Sequence, residues 1–246
     1  MTERRFFNAN HLKFIALFCM LVDHLYAALF PGQIWMTCIG RLAFPLFAFE
    51  LAQGYIHTHN LRRYAGRLAL LAVLSEVPYD MLAGGVFFSI WHQNVVWTLL
   101  FGLAACYCLD NLIKTPAVSK KFLYLLGLLV SVGLPYVLMT DYGTGGVLMI
   151  LLFWATRKGG AVNYVVQVVG MFVLCQFVIG GRIIMIGDFQ FQAQNFALLT
   201  LPLIWLYNGK HGTRNKAIQY IAYAFYPVHL FILGAIFMIQ IMGMAG

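Results

Sequence analysis

The sequence predicts an all-α, polytopic membrane helical bundle with about nine transmembrane helices, eight and ten being the alternatives. The first observation is composition: 62% of the 246 residues are hydrophobic and 10% are charged, with a mean hydropathy of +0.81. Soluble domains are about 45–50% apolar and about 25% charged. The second observation is a series of apolar segments of membrane-spanning length. The third is the uneven distribution of positive charge between alternate loops.

Apolar segments follow one another along the chain, separated by short polar loops. The first carries charges inside it and lacks a small-residue cleavage site, so we interpret it as a retained helix rather than a signal peptide. The sixth and eighth are short, about 15 residues, so tilted, broken or re-entrant helices are alternatives for them. With no soluble domain and no internal repeat recognisable, residues 1–246 are predicted to form a single integral-membrane domain. The segments are 11–30, 34–56, 64–83, 93–112, 121–139, 143–157, 161–180, 193–208 and 216–242.

Lys and Arg lie almost entirely on one side of the predicted bundle. Counted by alternate loops, all of them except Arg41 and Arg182 belong to the side that holds the N-terminus. The positive-inside rule then places the N-terminus in the cytoplasm and, with nine crossings, the C-terminus outside. The net charge of +8 therefore sets topology and does not indicate a nucleic-acid partner. Membrane lipids are the expected surroundings. The five cysteines have no metal-ligand spacing, so no metal is expected.

The first segment carries Lys13 and His24, eleven positions apart. Eleven steps of about 100° fall within about 20° of three full turns, so both residues share one helix face, about 16 Å apart along the axis. Ionisable groups inside a membrane segment are costly and indicate a functional site. Histidine titrates nearest neutrality and is the natural general base. The alternative interpretation is a structural histidine that binds a neighbouring helix.

On the outer side, the predicted topology gathers polar residues from several helices. Asp23 cannot point the same way as His24 on a helix, so we expect it to orient another group. Arg41 contacts the substrate in one interpretation and forms an ion pair with Asp23 or Glu76 in the other. Acids such as Asp141 have a second interpretation as solvated loop residues. The outer set comprises Asp23, His24, Arg41, Glu76, Asp80, Asn94, Thr98, Asp141, Asp188, Gln194, Asn195 and His229.

Six stretches of the sequence carry a family resemblance. In order, from about residue 11 to 231, they read LKFIALFCMLVDH, GRLAFPLFAFELAQGY, RRYAGRLALLAVLSEVPYD, NVVWTLLFGL, DYGTGGVLMILLFW and AYAFYPVHL. This series resembles the TraX family, which is named for a conjugation protein that N-acetylates pilin. Lys13 and His24, with ten residues between them, also resemble the basic-x10-His motif of membrane acyltransferases of the acyltransferase-three type.

The resemblance implies a transmembrane acetyltransferase of the bacterial cytoplasmic (inner) membrane, spanning it several times. Acetyl-CoA would arrive from the cytoplasm as acyl donor. An extracytoplasmic acceptor amine or hydroxyl, on a peptide, a protein N-terminus or a glycan, would receive the acetyl group. CoA carries phosphates, so Lys13, Arg62, Arg63 and Arg67 are the candidate acyl-CoA partners. Membrane enzymes of this size often dimerise, so a homodimer is a further expectation. The remaining assignments are His24, Asp23 and Arg41 for catalysis, and Glu76, Asn94, Asp141 and His229 for acceptor binding.

Two mechanisms and two other protein classes remain open. In one mechanism, His24 removes a proton from the acceptor, which attacks the thioester directly; in the other, His24 takes the acetyl group itself. Arg41 or Asn94 is expected to stabilise the oxyanion. Intramembrane ionisable groups and short helices are also typical of a small-solute transporter. A non-catalytic assembly partner of a pilus or surface polymer is the third class. Both N- and O-acetylation are compatible with the sequence.

Overall fold

The computed structural model describes residues 6–186, 188–213 and 216–244, and most of these residues are helical. The helix Ala161–Val173 continues through a π-helical turn, Leu174–Ile179, and a 3-10 segment, Ala193–Thr200, leads directly into the short helix Leu201–Trp205. The helices are α1 (Ala9–Ala28), α2 (Ile34–Gly40), α3 (Ala43–His57), α4 (Leu61–Gly84), α5 (Val95–Lys114), α6 (Val118–Val137), α7 (Gly143–Ala155), α8 (Ala161–Val173), α9 (Leu201–Trp205) and α10 (Lys216–Met244).

Each predicted apolar segment coincides with helical structure in the described part of the chain. Six stretches there are long and apolar enough to cross a membrane, which supports a membrane protein. Helix α4 is long enough but carries five charged residues, and Gly143–Ala155 and Ala193–Trp205 are shorter. Nine crossings therefore stay a prediction. The six stretches are Ala9–Ala28, Ile34–His57, Val95–Lys114, Val118–Val137, Ala161–Ile179 and Gln219–Gly243.

The second predicted segment is not one helix, because it breaks between α2 and α3 at Arg41 and Leu42. Pro45 has no backbone N–H, so it cannot donate to the carbonyl of Arg41, four residues earlier. Proline is tolerated in the first turn of a helix, where Pro45 stands in α3. The break turns the Arg41 side chain back along α2, where its Nε donates to the Thr37 carbonyl oxygen at 3.4 Å.

A β-hairpin departs from the all-α prediction. Strands β1 (Ile183–Ile186) and β2 (Phe189–Gln192) pair antiparallel, with Ile183 opposite Gln192. The sequence IIMI-GD-FQFQ places β-branched and aromatic residues around a Gly-Asp pair, which is a hairpin pattern. The backbone of Ala193 then donates to the Arg182 carbonyl oxygen at 2.8 Å and leads into the 3-10 segment. Asp188, assigned to an outer loop, lies in the turn of this hairpin.

Contacts between distant segments define two ends of the bundle. At the Lys13 end, Phe7 exchanges backbone hydrogen bonds with Leu206 and Asn208, at 3.1 and 2.8 Å. At the His24 end, the Arg182 guanidinium lies 5.5 Å from the ring centroid of Tyr26, near the end of α1. Two loops that are predicted to lie at the His24 end also contact each other, since Asp141 N donates to the Gln93 carbonyl oxygen at 2.8 Å. These groupings agree with the predicted alternation of loops, while the side that faces the cytoplasm stays a prediction.

Helix α1 is central, since it packs against α2, α3, α4 and α10. Its buried face includes Leu12 and Ala16, both fully buried. Helix α10 lies close to α4 because Gly234 has no side chain: a Cβ there would lie 2.7 Å from the Cβ of Met81. In membrane proteins, small residues allow this close approach of two helices. The packing of α10 brings its middle against α1, where the candidate site lies.

Candidate functional site

The centre of the site is a pair of histidines from α1 and α10. His24 Nδ1 lies 2.7 Å from His229 Nε2. The other ring nitrogen of His229, Nδ1, lies 2.6 Å from the carbonyl oxygen of Phe225, one turn earlier in α10. His229 is 7% exposed, and the Phe225 ring stacks on it with centroids 4.7 Å apart. His24 is therefore held by a ring that is itself held by a backbone group and an aromatic neighbour.

This chain of contacts fixes the protonation pattern of the two neutral rings. A carbonyl oxygen only accepts, so His229 Nδ1 must carry a hydrogen and its Nε2 must accept. His24 Nδ1 is then the donor to His229 Nε2. In a neutral imidazole the other nitrogen is bare, so His24 Nε2 presents a free lone pair. Among the hydrogen bonds of the described residues, none engages His24 Nε2. The arrangement leaves this atom available as a base or nucleophile.

A cavity of about 260 Å³ leads from the Lys13 end towards the histidines. The exposed residues His211 and Gln219 line its mouth, and buried Val96 and Tyr226 line its depth. Tyr226 lines the cavity, and its ring centroid lies 6.4 Å from that of His24 and 6.0 Å from that of His229. Most of the cavity wall is apolar. Tyr226 therefore connects the cavity wall to the histidine pair.

Of the four residues assigned to the acyl donor, Lys13 lines this cavity directly. Arg67 places its guanidinium 5.7 Å from the ring centroid of Tyr64, and Tyr64 is a wall residue. Arg62 and Arg63 are exposed on the first turn of α4 and do not line the cavity as the described residues define it. The structure thus brings Lys13 and Arg67 close to the cavity, and leaves Arg62 and Arg63 on the surface nearby.

Asp23 and Arg41 form an ion pair beside the histidines, with Nη2 and Oδ2 2.5 Å apart. Gly40 makes the pair possible, because a Cβ at this position would overlap the Asp23 side chain. Arg41 Nη1 also donates to Gln194 Oε1 at 3.4 Å. Asp23 Oδ1 and Gln194 Nε2 are buried and make no hydrogen bond. Asp23 therefore orients Arg41 rather than His24, and its Oδ1 stays free to accept from a ligand.

Glu76 and Asn94 bind each other instead of facing the histidines. Asn94 Nδ2 donates to Glu76 Oε2 at 2.5 Å and to the Ala72 carbonyl oxygen at 2.8 Å. Glu76 also accepts from Trp97 Nε1 at 2.9 Å, and Asn94 Oδ1 caps α5 by accepting from Val96 N at 3.0 Å. Both hydrogens of the Asn94 amide are used, so it has none left for an oxyanion. These two residues tie α4 to α5 in the described structure.

Asp141 lies in the loop between α6 and α7, within the electrostatic range of Arg41 and Asp23. Its backbone is fixed, because Thr98 Oγ1 donates to its carbonyl oxygen. Burial raises the pKa of the Asp141 carboxyl to about 6, and the positive charge of Arg41 opposes the rise. The following residue, Tyr142, has a positive φ of 63° and stacks on Phe44 with ring centroids 4.0 Å apart. Asp141 thus joins the Asp23–Arg41 pair in an acidic group at the His24 end.

Three residues of the site have no assigned role in the sequence prediction: Tyr226, Glu50 and Gln194. Each lies inside a stretch that the family resemblance quotes or in the predicted outer set, so position alone does not distinguish them. Glu50 carries the clearest signal, since an acid inside an apolar segment indicates a functional site. The contacts of Tyr226 and Gln194 depend on helix packing, which no local pattern encodes. His229 was assigned to the acceptor, whereas the structure places it directly against His24.

Comparison with known proteins agrees with the motifs. A family model described as TraX protein matches residues 8–237. A probable fimbrial assembly protein, FimC, of Dichelobacter nodosus is 26% identical over 242 residues, covering 92% of this chain and 94% of the relative. No solved structure matches the fold. Since the family model covers nearly the whole sequence, the chain belongs to the TraX family, as its motifs predict.

Proposed function

We propose that the protein is a transmembrane acetyltransferase of a bacterial inner membrane. In this proposal, acetyl-CoA enters from the cytoplasm at the Lys13 end, and an acceptor amine or hydroxyl binds outside at the His24 end. The observation that carries the proposal is the cavity. Its buried lining residue Tyr226 contacts the rings of His24 and His229. In this proposal, the donor site and the base are both close to Tyr226.

The cavity has the chemistry that an acyl-CoA requires. Lys13 is at its wall, and the exposed arginines of α4 lie nearby, so the phosphates have cationic partners. The apolar depth suits the extended arm that carries the thioester. Along α1, Lys13 and His24 are eleven positions apart, about 16 Å of helical rise. This distance matches a ligand that is bound at its charged end and reacts at the other.

In the proposed reaction, the acceptor attacks the carbonyl carbon of the thioester and gives its proton to His24 Nε2. The carbon–sulfur bond then breaks, and the sulfur of CoA leaves with the electron pair as a thiolate. His24 gives its proton to this thiolate, which leaves as the CoA thiol. His229 supports the step, because its Nε2 accepts from His24 Nδ1 while His24 is positively charged. Arg41 is the candidate oxyanion donor. Its three hydrogen bonds use one N–H each on Nε, Nη1 and Nη2, and the other N–H groups of the guanidinium can still donate.

The acceptor we propose is a pilin-like or fimbrial subunit. TraX membership and the fimbrial assembly relative support this class of substrate. Asp23 Oδ1, buried and without a hydrogen bond, suits an amine donor at the outer side. A fimbrial role also suits a non-catalytic assembly partner, which differs from the enzyme in one measurable property: it needs no acyl-CoA.

The test uses the purified full chain in detergent with acetyl-CoA and a panel of peptide amines and hydroxyl acceptors. Acetylated acceptor is measured by mass spectrometry and CoA thiol by its release. His24→Asn keeps an amide donor near the position of Nδ1 and removes the base. We expect at least a 100-fold loss of transfer, with the folding transition retained. His59→Asn, on an exposed loop residue, is the matched control and should transfer normally.

The outcomes separate the classes of protein. Stabilisation by CoA in a thermal scan is expected, because a ligand that binds the folded state raises its stability. Full activity of His24→Asn would remove the histidine from the mechanism. A wild-type chain that is not stabilised by CoA and transfers nothing would favour the assembly partner. Solute flux in proteoliposomes without any dependence on CoA would favour a transporter.

A further inference from the structure

Glu50 lies in the cavity without a partner for one of its oxygens. It stands at the middle of α3, seven residues from each end, and lines the cavity wall. Its Oε1 is buried and accepts no hydrogen bond. A buried acceptor without a donor destabilises the fold, and an acid inside an apolar helix adds to that cost. The proposed reaction at His24 does not use this carboxylate, so its retention needs another explanation.

Lys13 lines the same cavity but does not neutralise Glu50 by contact. The ion pairs found among the described residues are Asp23–Arg41 and Lys114–Asp110, so the Lys13 and Glu50 charges are more than 4 Å apart. The nearby wall residues Tyr64 and Tyr207 leave Glu50 Oε1 unpartnered as well. A ligand in the cavity would lie between a cation at the mouth and a carboxylate further in.

We propose that Glu50 binds the amide N–H groups of the pantetheine arm of the acyl donor. This inference rests on the proposed function and adds a recognition residue to it. A carboxylate only accepts hydrogen bonds, so its ligand must donate. The pantetheine arm offers two amide N–H groups and one hydroxyl, and it carries no negative charge between the phosphates and the sulfur. Phosphates at Lys13 and amides at Glu50 give the donor one orientation, with the thioester towards Tyr226.

Other ligands fit this carboxylate less well. A metal ion needs several ligands, and no group of three His, Cys, Asp or Glu residues within the described ranges is close enough to hold one. A small ammonium compound would satisfy Glu50 but would leave Lys13 facing a second positive charge. The acyl donor uses both wall residues, because its phosphates and its amides require opposite partners.

The experiment compares CoA with adenosine 3′,5′-bisphosphate, which has a phosphorylated nucleotide but no pantetheine arm. Binding of each is measured on the purified full chain by calorimetry, for wild type, Glu50→Gln and Glu50→Leu. Glu50→Leu should weaken CoA binding ~10-fold, the loss of one charge-assisted hydrogen bond. Binding of the bisphosphate should be unchanged. Glu50→Gln keeps an acceptor oxygen and should lie between wild type and Glu50→Leu for CoA.

A further readout separates binding from a structural role. Glu50→Leu removes an unpartnered buried carboxylate, so without ligand its unfolding temperature should equal or exceed that of wild type. Equal CoA affinity in wild type and Glu50→Leu would overturn the inference alone, and so would an equal loss of affinity for CoA and the bisphosphate. Stabilisation of wild type by small ammonium compounds but not by CoA would overturn both this inference and the proposed function.

Discussion

His229 Nε2 accepts a hydrogen bond from His24 Nδ1 across 2.7 Å, although the two histidines are 205 positions apart in the sequence. The contact joins the first helix of the chain to the last. It sets the tautomer of His24 and thereby decides which nitrogen keeps a free lone pair. The C-terminal helix is therefore as necessary to the proposed base as the helix that carries it.

Replacing His229 should change the turnover number rather than the binding of the donor. His229→Leu removes the acceptor for His24 Nδ1, and the tautomer of His24 is then no longer fixed. We expect kcat to fall ~100-fold or more while KM for acetyl-CoA changes little. His229→Gln places an amide oxygen near the position of Nε2 and should retain more activity than Leu. Equal losses in the two variants, measured in initial-rate assays, would argue against a tautomer role.

Gly40→Ala should disturb the ion pair between Asp23 and Arg41. A Cβ at position 40 overlaps the Asp23 side chain, so the carboxylate must move or the helices must separate. We expect the free energy of unfolding to fall by about 1–3 kcal/mol. Gly66→Ala is the matched control, because this helical glycine has nothing within 4 Å of an added Cβ. That control should gain about 0.5–1 kcal/mol; a loss as large as that of Gly40→Ala would contradict the steric account.

Glu76→Leu should act on stability and not on acyl-donor binding. The substitution leaves the side-chain amide of Asn94 and the Trp97 indole N–H without the carboxylate that accepts from them. We expect a loss of about 2–4 kcal/mol, since buried donors lose their partner. Glu76→Gln should lose less. Thermal unfolding in detergent measures the stability, and calorimetry measures CoA affinity. A stable Glu76→Leu chain that fails only with the acceptor would return Glu76 to the acceptor site.

Lys13→Met should weaken acyl-CoA binding while leaving the fold intact. The methionine keeps an unbranched side chain in the apolar wall and removes the charge that, in the proposed function, binds the phosphates. We expect Kd for CoA to rise ~10-fold or more. Lys121→Met, on the exposed surface of α6, should bind CoA like wild type. If both variants lose affinity equally, the effect is one of overall charge and not of the cavity.

The raised pKa of Asp141 predicts how the stability of the protein depends on pH. Its folded-state pKa of about 6 lies above the value of about 3.9 in an unfolded chain. The folded protein therefore binds more protons in this window, and its stability should decrease as pH rises from about 4 to about 6. Asp141→Asn should flatten this part of the curve and raise the unfolding temperature at pH 7. Thermal scans across pH 4.5–7 measure it; an unchanged slope in Asp141→Asn would assign the titration to another group.

Local periodicity predicts the helices and one relationship within the site. Lys13 and His24 are placed by counting residues, because both lie on one regular helix, Ala9–Ala28. Helix ends are predicted within a few residues, since Pro, Gly and polar clusters bound the apolar segments. The sequence leaves Arg41 with two interpretations, a substrate contact or an ion pair, and the structure shows the ion pair with Asp23.

Contacts between helices are the part that the sequence does not encode locally. The pairing of His24 with His229 depends on how α10 packs on α1, which follows from side-chain fit along both helices. The break at Arg41 has a local signal in Pro45, and the hairpin at Ile183–Gln192 has one in the Gly-Asp pair of the sequence. The apolar character of the surrounding segments obscured both signals. Glu50 was hidden in the same way, inside a segment identified by its hydrophobicity.

Helix α1 runs without interruption from Ala9 to Ala28, and this continuity restricts how the protein can evolve. Inserting one residue between Lys13 and His24 would turn the histidine by about 100° around the helix and shift it by about 1.5 Å. Its ring would then face lipid or another helix instead of His229. The number of intervening residues is therefore fixed at ten by this geometry. A homologue whose first helix is longer or shorter at this point would need a different partner for its histidine.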